Sequence, residues 1–320
     1  MAVMKPPIRR RRPLYIICMD GLGDGIYNRP FIRMVTRRYD LWLRTPWPEL
    51  YSDLGINFVR SNAQLRTQQK NVERQNGIWS RPPPGSSTLQ IRYNRHDLLT
   101  MNMVQSLERH YPVVDGSYRM DLPRFSNSPI VSARPIALVR PATLRREWFA
   151  PSRNPSPAYI QIVIDILVAR GFCVVSVADC DRYGEWFEGK EPQGMTEKFH
   201  AGELAVNQLM GLVQHSAVIV GGVGWIVPAA IAAQKHLFII FGGRGGHNSP
   251  EKLFDNRMDL SRVGWLMPEP FCRCVEATHG CNKTINRFGE RFDRWLATLN
   301  LAPPTGNGVL PAECISVAAV

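Results

Sequence analysis

Short, almost wholly apolar runs recur along the 320-residue chain, each followed by a glycine or polar turn and then a stretch of helical period. Leu14–Met19 (LYIICM) predicts a buried strand, Asp20–Gly25 a tight turn, and Tyr27–Arg38 a helix with Pro30 in its first turn. Leu41–Leu43 suits a second short strand, and Trp47–Leu50 the start of another helix. From Ser61 to Arg95 the chain turns polar, loses period and carries Pro82-Pro83-Pro84-Gly85, which predicts a long loop or irregular insertion. Leu98–His110 predicts a helix, and Asp121–Ala133, with two prolines and three serines, an interdomain linker.

A second series follows. Strands are predicted at Ile136–Val139, Phe172–Val177, Ser216–Val220 and Leu237–Phe241. Helices are predicted at Pro157–Arg170 (stopped by Gly171), His200–Gln214, Trp225–Ala233 and Ile285–Leu299. The expected fold class is α/β, with strand, glycine turn and helix in each half: two Rossmann-like domains facing a cleft. The expected boundaries are a disordered basic arm at 1–13, an N-terminal domain at 14–130, a C-terminal domain at 131–300 and a flexible tail at 301–320.

Composition narrows the function classes. The formal charge is 39 − 27 = +12, mostly arginine. That excess fits nucleic acid, an anionic membrane surface or a phosphorylated small molecule as partner. The run Arg9–Arg12 precedes the first strand and reads as a solvated tail. Seven cysteines in a chain of this size read as mostly reduced, hence an intracellular, cytoplasmic protein. The longest apolar run, Ala217–Ala233, is short for a membrane span, so no transmembrane segment is expected, leaving only peripheral contact with a membrane.

The glycines carry the first functional signal. Gly221, Gly222 and Gly224 follow one strand, and Gly242, Gly243, Gly245 and Gly246 the next. Ligands bind open α/β sheets at such carboxyl ends, where glycine lets backbone N–H groups approach a phosphate. The first turn is not a dinucleotide fingerprint, since Ile26 stands where G-x-G-x-x-G wants its third glycine.

Gly21-Leu22-Gly23-Asp24-Gly25 followed by Asn28-Arg29-Pro30, the stretch Val220–Gly243, and the segment Cys272-Arg-Cys274…His279-Gly-Cys281 come in an order that resembles the lipopolysaccharide heptosyltransferase family, glycosyltransferase family 9. The resemblance implies a GT-B fold, a donor nucleotide-sugar held mainly by the C-terminal half, an acceptor held mainly by the N-terminal half, and inverting transfer without a metal or other cofactor. The chain departs from the family where an Asp-Ser/Thr-Gly triplet and a following His are expected. Gly222-Val223-Gly224 and Val227 stand there instead.

Inverting transfer needs a base for the acceptor hydroxyl and positive charge for the departing diphosphate. Asp24 matches the family's catalytic Asp; Asp20 is the rival, and Asp24 would otherwise cap the helix. Arg140, Arg145, Arg146 and Arg153 follow a strand, and Arg146 with Trp148 fits the family's basic residue before a Trp. They are assigned to the donor phosphates together with Gly221, Gly222, Gly224, Gly242 and Gly243, with Arg244 and His247 to phosphate or ribose, and Glu203, read at a helix start, to the donor's ribose or sugar. Gly23, Gly25, Asn28 and Arg29 are assigned to the acceptor side. Cys272, Cys274, His279 and Cys281 read as a reduced structural segment, with a small zinc site as the other reading.

The expected function is therefore a glycosyltransferase acting on a nucleotide-diphosphate sugar. The acceptor is a cell-envelope glycan or, in the manner of phage-encoded enzymes, a DNA base. A sugar-nucleotide epimerase of similar architecture and a non-catalytic nucleotide-sugar-binding protein are the rival readings.

Overall fold

A computed structural model describes residues 11–299, 301 and 315–316. The predicted α/β organisation is present as two parallel sheets. β1 (Arg12–Ile17) leads into α1 (Leu22–Thr36), followed by β2 (Tyr39–Thr45), a 3₁₀ turn at Pro48–Tyr51, β3 (Asn57–Arg60), α2 (Arg66–Arg74) and β4 (Ser87–Gln90). These strands form a sheet in the order β3-β2-β1-β4. Two short helices, α3 (Asp97–Thr100) and α4 (Met103–Glu108), follow.

β5 (Ile130–Val131) pairs antiparallel with Ile315–Ser316, within the segment expected to be a loose tail. The larger sheet is built from β6 (Ile136–Arg140), β8 (Cys173–Val177), β10 (Glu197–Phe199), β11 (Val218–Gly221), β12 (His236–Ile240) and β13 (Val263–Leu266). Between them come β7 (Thr143–Arg145), α5 (Pro157–Ala169), β9 (Glu185–Phe187), α6 (Val206–His215) and α7 (Ile226–Ala232). The one-turn segments α8 (Gly245–Asn248) and α9 (Pro250–Leu253) lie before β13, and α10 (Phe288–Thr298) closes the chain. The sheet order is β10-β8-β6-β11-β12-β13, all parallel, while β7 and β9 form a separate antiparallel pair.

Several sequence expectations need correction. The Ser61–Arg95 insertion contains α2 and β4; β4 pairs with β1, and its sequence, STLQ, lacks the apolar character that would have marked it. The Leu98–His110 helix is two helices. Asn102 accepts from the Gln105 amide (2.8 Å) while Gln105 Oε1 accepts from the Asn102 amide (3.0 Å), a reciprocal cap that restarts the helix. The His200–Gln214 helix begins only at Val206, because Ala201, just after the edge strand β10, bridges to Asp179 and Gly202 turns the chain with φ 66°. Helix α1 begins at Leu22, directly after extended Gly21, so Pro30 sits mid-helix. The strand begins at Arg12, inside the expected arm, and residues 1–10 lie outside the described residues.

One buried apolar cluster runs from the first sheet (Ile16, Leu43) to the second (Ile219, Ile239), so the halves share a core. The other face of the larger sheet packs Val139, Val220 and Phe238 against α5 and α10. Ion pairs add cross-links: Arg66 bonds Asp179 and reaches Asp181 at 2.9 Å, and Arg257 bonds Glu108 at 2.8 Å. Among the described residues, no helix is long and apolar enough to cross a membrane.

Candidate active site

The carboxyl ends of both sheets open onto one cavity of about 1250 Å³. The sheet topology explains which side chains reach it. β1 and β4 run parallel with Ile17 opposite Gln90, so the loops leaving them emerge side by side. The turn after β1 supplies Asp20 and the first turn of α1 supplies Asp24, while the loop after β4 supplies Tyr93 and Arg95; all four line the cavity. Tyr93 donates its phenolic hydrogen to Asp24 Oδ1 at 2.8 Å. Asp20 is held differently: Ser61, just beyond β3, donates to its Oδ1 at 2.8 Å.

Asp24 lies in the first turn of α1, whose N-cap is Gly21 without a side-chain cap, so Asp24 is not the cap. Burial pushes its carboxyl up from 3.8 to about 6; the Tyr93 hydrogen bond pulls the other way and the Asp20 charge adds to the rise. Such a group is ionised near neutrality yet far more basic than a surface aspartate, which is what a general base requires.

The opposite wall is cationic. Arg140 ends β6, and β7 and β9 bring Arg145 beside Glu185. Glu185 also accepts from Thr143 at 2.6 Å and lies 3.9 Å from Arg140. Arg153 is the least compensated of the group. Its Nε is buried without a hydrogen-bond partner, and burial followed by the charges of Arg140, Arg244 and Arg145 lowers its pKa to about 10. Arg244 caps α8 with a left-handed backbone (φ 55°) and donates from Nε to the Val275 carbonyl at 3.0 Å. Burial and the nearby Arg244 and Arg95 charges lower the pKa of His247, which favours the neutral ring. One buried carboxylate thus serves several guanidinium groups, an arrangement suited to a multiply charged anion.

The sequence-assigned residues divide. Gly23, Asp24, Arg140, Arg145, Arg153, Glu203, Gly224, Arg244 and His247 line the cavity. Arg146 is exposed and lies outside it. Glu203 is not at a helix start: it precedes α6 and accepts from the Ala201 amide at 2.9 Å. Arg29 is fully buried, bonded to Asp53, Asp121 and the Leu50 carbonyl, and anchors α1 in the core. Asn28 is likewise enclosed between the Asp24 carbonyl and the Tyr111 hydroxyl. Gly25 makes room for Leu50, where an added Cβ would sit 3.0 Å away.

Gly221, Gly222, Gly242 and Gly243 also serve packing, not the cavity surface. A Cβ on Gly222 would meet Pro155 at 2.9 Å, and one on Gly242 would overlap the Asn154 carbonyl. Gly23 and Trp225 bring the two glycine turns together, since a Cβ on Gly23 would lie 3.2 Å from Trp225 Cα. Val227, at the family's His position, is buried on α7. Sequence reasoning missed Tyr93 and Arg95, because the segment holding them carried no recognisable strand to place them. Cys272, Cys274, His279 and Cys281 converge, with their ligand atoms all within 4.8 Å of one another.

No protein-family profile and no curated protein sequence matches the chain. Solved structures do. The iron-containing dodecameric glycosyltransferase TibC of enterotoxigenic Escherichia coli aligns with a TM-score of 0.55 at 16% identity, over 86% of this chain and 65% of that one. This chain therefore spans just under two thirds of the length of TibC. The ADP-heptose lipopolysaccharide heptosyltransferase II of E. coli aligns at 0.56 and 12% identity, over 89% and 97% of the two chains. A glycosyltransferase family 9 structure from Veillonella parvula aligns at 0.51 and 11%, over 81% and 87%. At these identities the likeness is one of fold, and the fold is that of the heptosyltransferases and family 9 glycosyltransferases.

Proposed function

We propose that the protein is an inverting GT-B glycosyltransferase that works in the cytoplasm, with an acceptor half at 14–130 and a donor half at 131–300. The observation that carries this reading is the pairing, across one cavity, of a half-buried carboxyl raised to about 6 with an under-neutralised arginine group. The donor is a nucleotide-diphosphate sugar. TibC has been solved with ADP-D-β-D-heptose, and the aligned E. coli enzyme is an ADP-heptose transferase, so ADP-heptose is the first donor to test.

In this mechanism Asp24 takes the proton of an acceptor hydroxyl as its oxygen attacks the anomeric carbon. The bond to the diphosphate breaks on the opposite face, inverting the configuration. Arg140, Arg145, Arg153 and Arg244 take up the charge developing on the leaving diphosphate. Tyr93 orients the carboxylate through its 2.8 Å hydrogen bond. With Gly222 and Val227 in place of the family's polar groups, recognition of the donor shifts to these arginines. The acceptor is a glycan hydroxyl; Trp148 and Phe149, exposed at the cavity mouth, offer apolar faces on which a sugar ring can stack.

Incubating the protein with ADP-heptose tests the proposal. Slow release of ADP with water as acceptor, abolished in Asp24→Asn while donor binding persists, is the expected result. Donor binding with no release of ADP by the wild type, and no transfer to glycan or DNA acceptors, would leave a nucleotide-sugar-binding protein. Isomerised ADP-sugar without release of ADP would make it an epimerase.

A further inference from the structure

The 21 residues between β13 and α10 form no helix or strand. Within them the Cys272 Sγ and His279 Nδ1 atoms lie 3.5 Å apart, Cys274 Sγ and Cys281 Sγ 3.5 Å, and His279 Nδ1 and Cys281 Sγ 3.4 Å. A tetrahedral zinc ion places two sulfur ligands about 3.8 Å apart and a sulfur and a nitrogen about 3.5 Å apart. The sulfurs are too far apart for a disulfide, whose S–S bond is about 2.05 Å. Four side chains from a ten-residue stretch thus converge, three of their six pairs at the edge length of a coordination tetrahedron and all of them within 4.8 Å.

The backbone between these ligands grips the cationic wall. The Gly245 amide donates to the Cys272 carbonyl at 2.8 Å and the Gly246 amide to the Cys274 carbonyl at 3.1 Å. Arg244 Nε donates to the Val275 carbonyl at 3.0 Å. Ser152, next to Arg153, donates through its amide to the Ala277 carbonyl at 3.1 Å and through its hydroxyl to the Glu276 carbonyl at 2.7 Å. Gly243 passes so close to Cys281 that a Cβ there would sit 2.5 Å from Sγ. Every one of these carbonyls belongs to a ligand residue or to the short connection between ligands.

We infer that Cys272, Cys274, His279 and Cys281 bind one structural zinc ion, and that this ion fixes the loop that positions Arg244 and Arg153. The donor set, three thiolates and one imidazole with no open position, is that of a closed structural site. The ion supplements the few apolar anchors of this loop, Met267, Phe271 and Ile285, and it aims two arginines that come from separate parts of the chain. The metal assignment stands on the ligand geometry alone; only the significance of the arginines rests on the donor-binding role proposed above.

Elemental analysis of the full chain purified without chelator should find one zinc per chain. Cobalt exchanged into the site should show the intense visible absorption of tetrahedral thiolate coordination. Cys274→Ser/Cys281→Ser should lose the metal, whereas His279→Cys, which restores a fourth ligand, should keep it. Removing the ion should lower pyrophosphate affinity about tenfold, with the far-ultraviolet dichroism of both sheets unchanged. If the serine variant fails to fold, zinc released on thiol titration of the wild type supplies the stoichiometry. A folded wild type free of metal, a Cys274–Cys281 disulfide found by mass spectrometry, or metal retained by the serine variant would overturn the site. Iron at the same stoichiometry would overturn the choice of ion. Unchanged pyrophosphate affinity in the metal-free protein would overturn the positioning role while leaving the site.

Discussion

Tyr93 and Asp24 lie 69 residues apart in the chain, and their side chains meet at 2.8 Å because β4 lies beside β1. The phenol donates to the carboxylate and so stabilises its charged form, opposing the burial that pushes the carboxyl up. Tyr93→Phe removes that opposition. The acid limb of the pH–rate profile, expected near pH 6 in the wild type, should move to higher pH. A profile of donor turnover across the acid limb checks this; an unmoved limb would mean that Asp24 is not the titrating base.

Asp24 should also cost stability. The folded carboxyl keeps its proton to about 6, while the unfolded one releases it near 3.8. Between those values the folded state binds more protons, so stability falls as pH rises through this window and stays lower by about 3 kcal/mol above it. Asp24→Asn should therefore melt at a higher temperature than the wild type at neutral pH, and the difference should vanish below about pH 4. Thermal unfolding at a series of pH values measures it.

Arg153 is a half-buried cation whose Nε is fully enclosed, with like charges around it. Arg153→Met keeps the bulk and removes the charge. The melting temperature should rise by about 2–4 °C, for roughly 1 kcal/mol relieved. Pyrophosphate affinity should fall about 10- to 100-fold, the value of a charge-assisted contact. Calorimetry on the pair of proteins reads both effects.

Glu185 is the carboxylate that Arg140 and Arg145 share. Glu185→Gln should destabilise the protein by about 3 kcal/mol, since it leaves two guanidinium groups without their counter-charge. Saturating pyrophosphate should restore most of the lost melting temperature, because the ligand supplies the missing negative charge. A variant that pyrophosphate fails to rescue would place the anion elsewhere.

Arg29 is expected to act only on the fold. Its guanidinium is fully buried against Asp53 and Asp121. Arg29→Met should cost about 1–3 kcal/mol by removing its charge-assisted bonds to Asp53, Asp121 and the Leu50 carbonyl, since Asp53 can turn to water and Asp121 keeps Arg33. The fraction that remains folded at low temperature should bind pyrophosphate with unchanged affinity.

The strands of the second half were legible because parallel strands covered on both faces read as unbroken apolar runs, as in Cys173–Val177 and Val218–Gly221. β4 was not, since an exposed four-residue edge strand carries no apolar signature. The candidate base was legible through the glycine turn around it, and its partner Tyr93 was hidden with β4. Arg29 and Arg153 show the other limit. Both are arginines near a turn, and only the tertiary neighbours decide that one is matched by two carboxylates while the other faces further arginines. Glycine spacing likewise marks close approach without saying what approaches: at Gly242 it is the Asn154 carbonyl.

The contact of Gly23 with the backbone of Trp225 joins the starts of α1 and α7. A side chain at position 23 would push Trp225 away, so the absence of one sets how closely the two turns approach. Asp24 follows Gly23 directly and Gly224 precedes Trp225 directly, so the base and the glycine turn opposite inherit that separation. The smallest residue in the chain is thus the gauge block of the site.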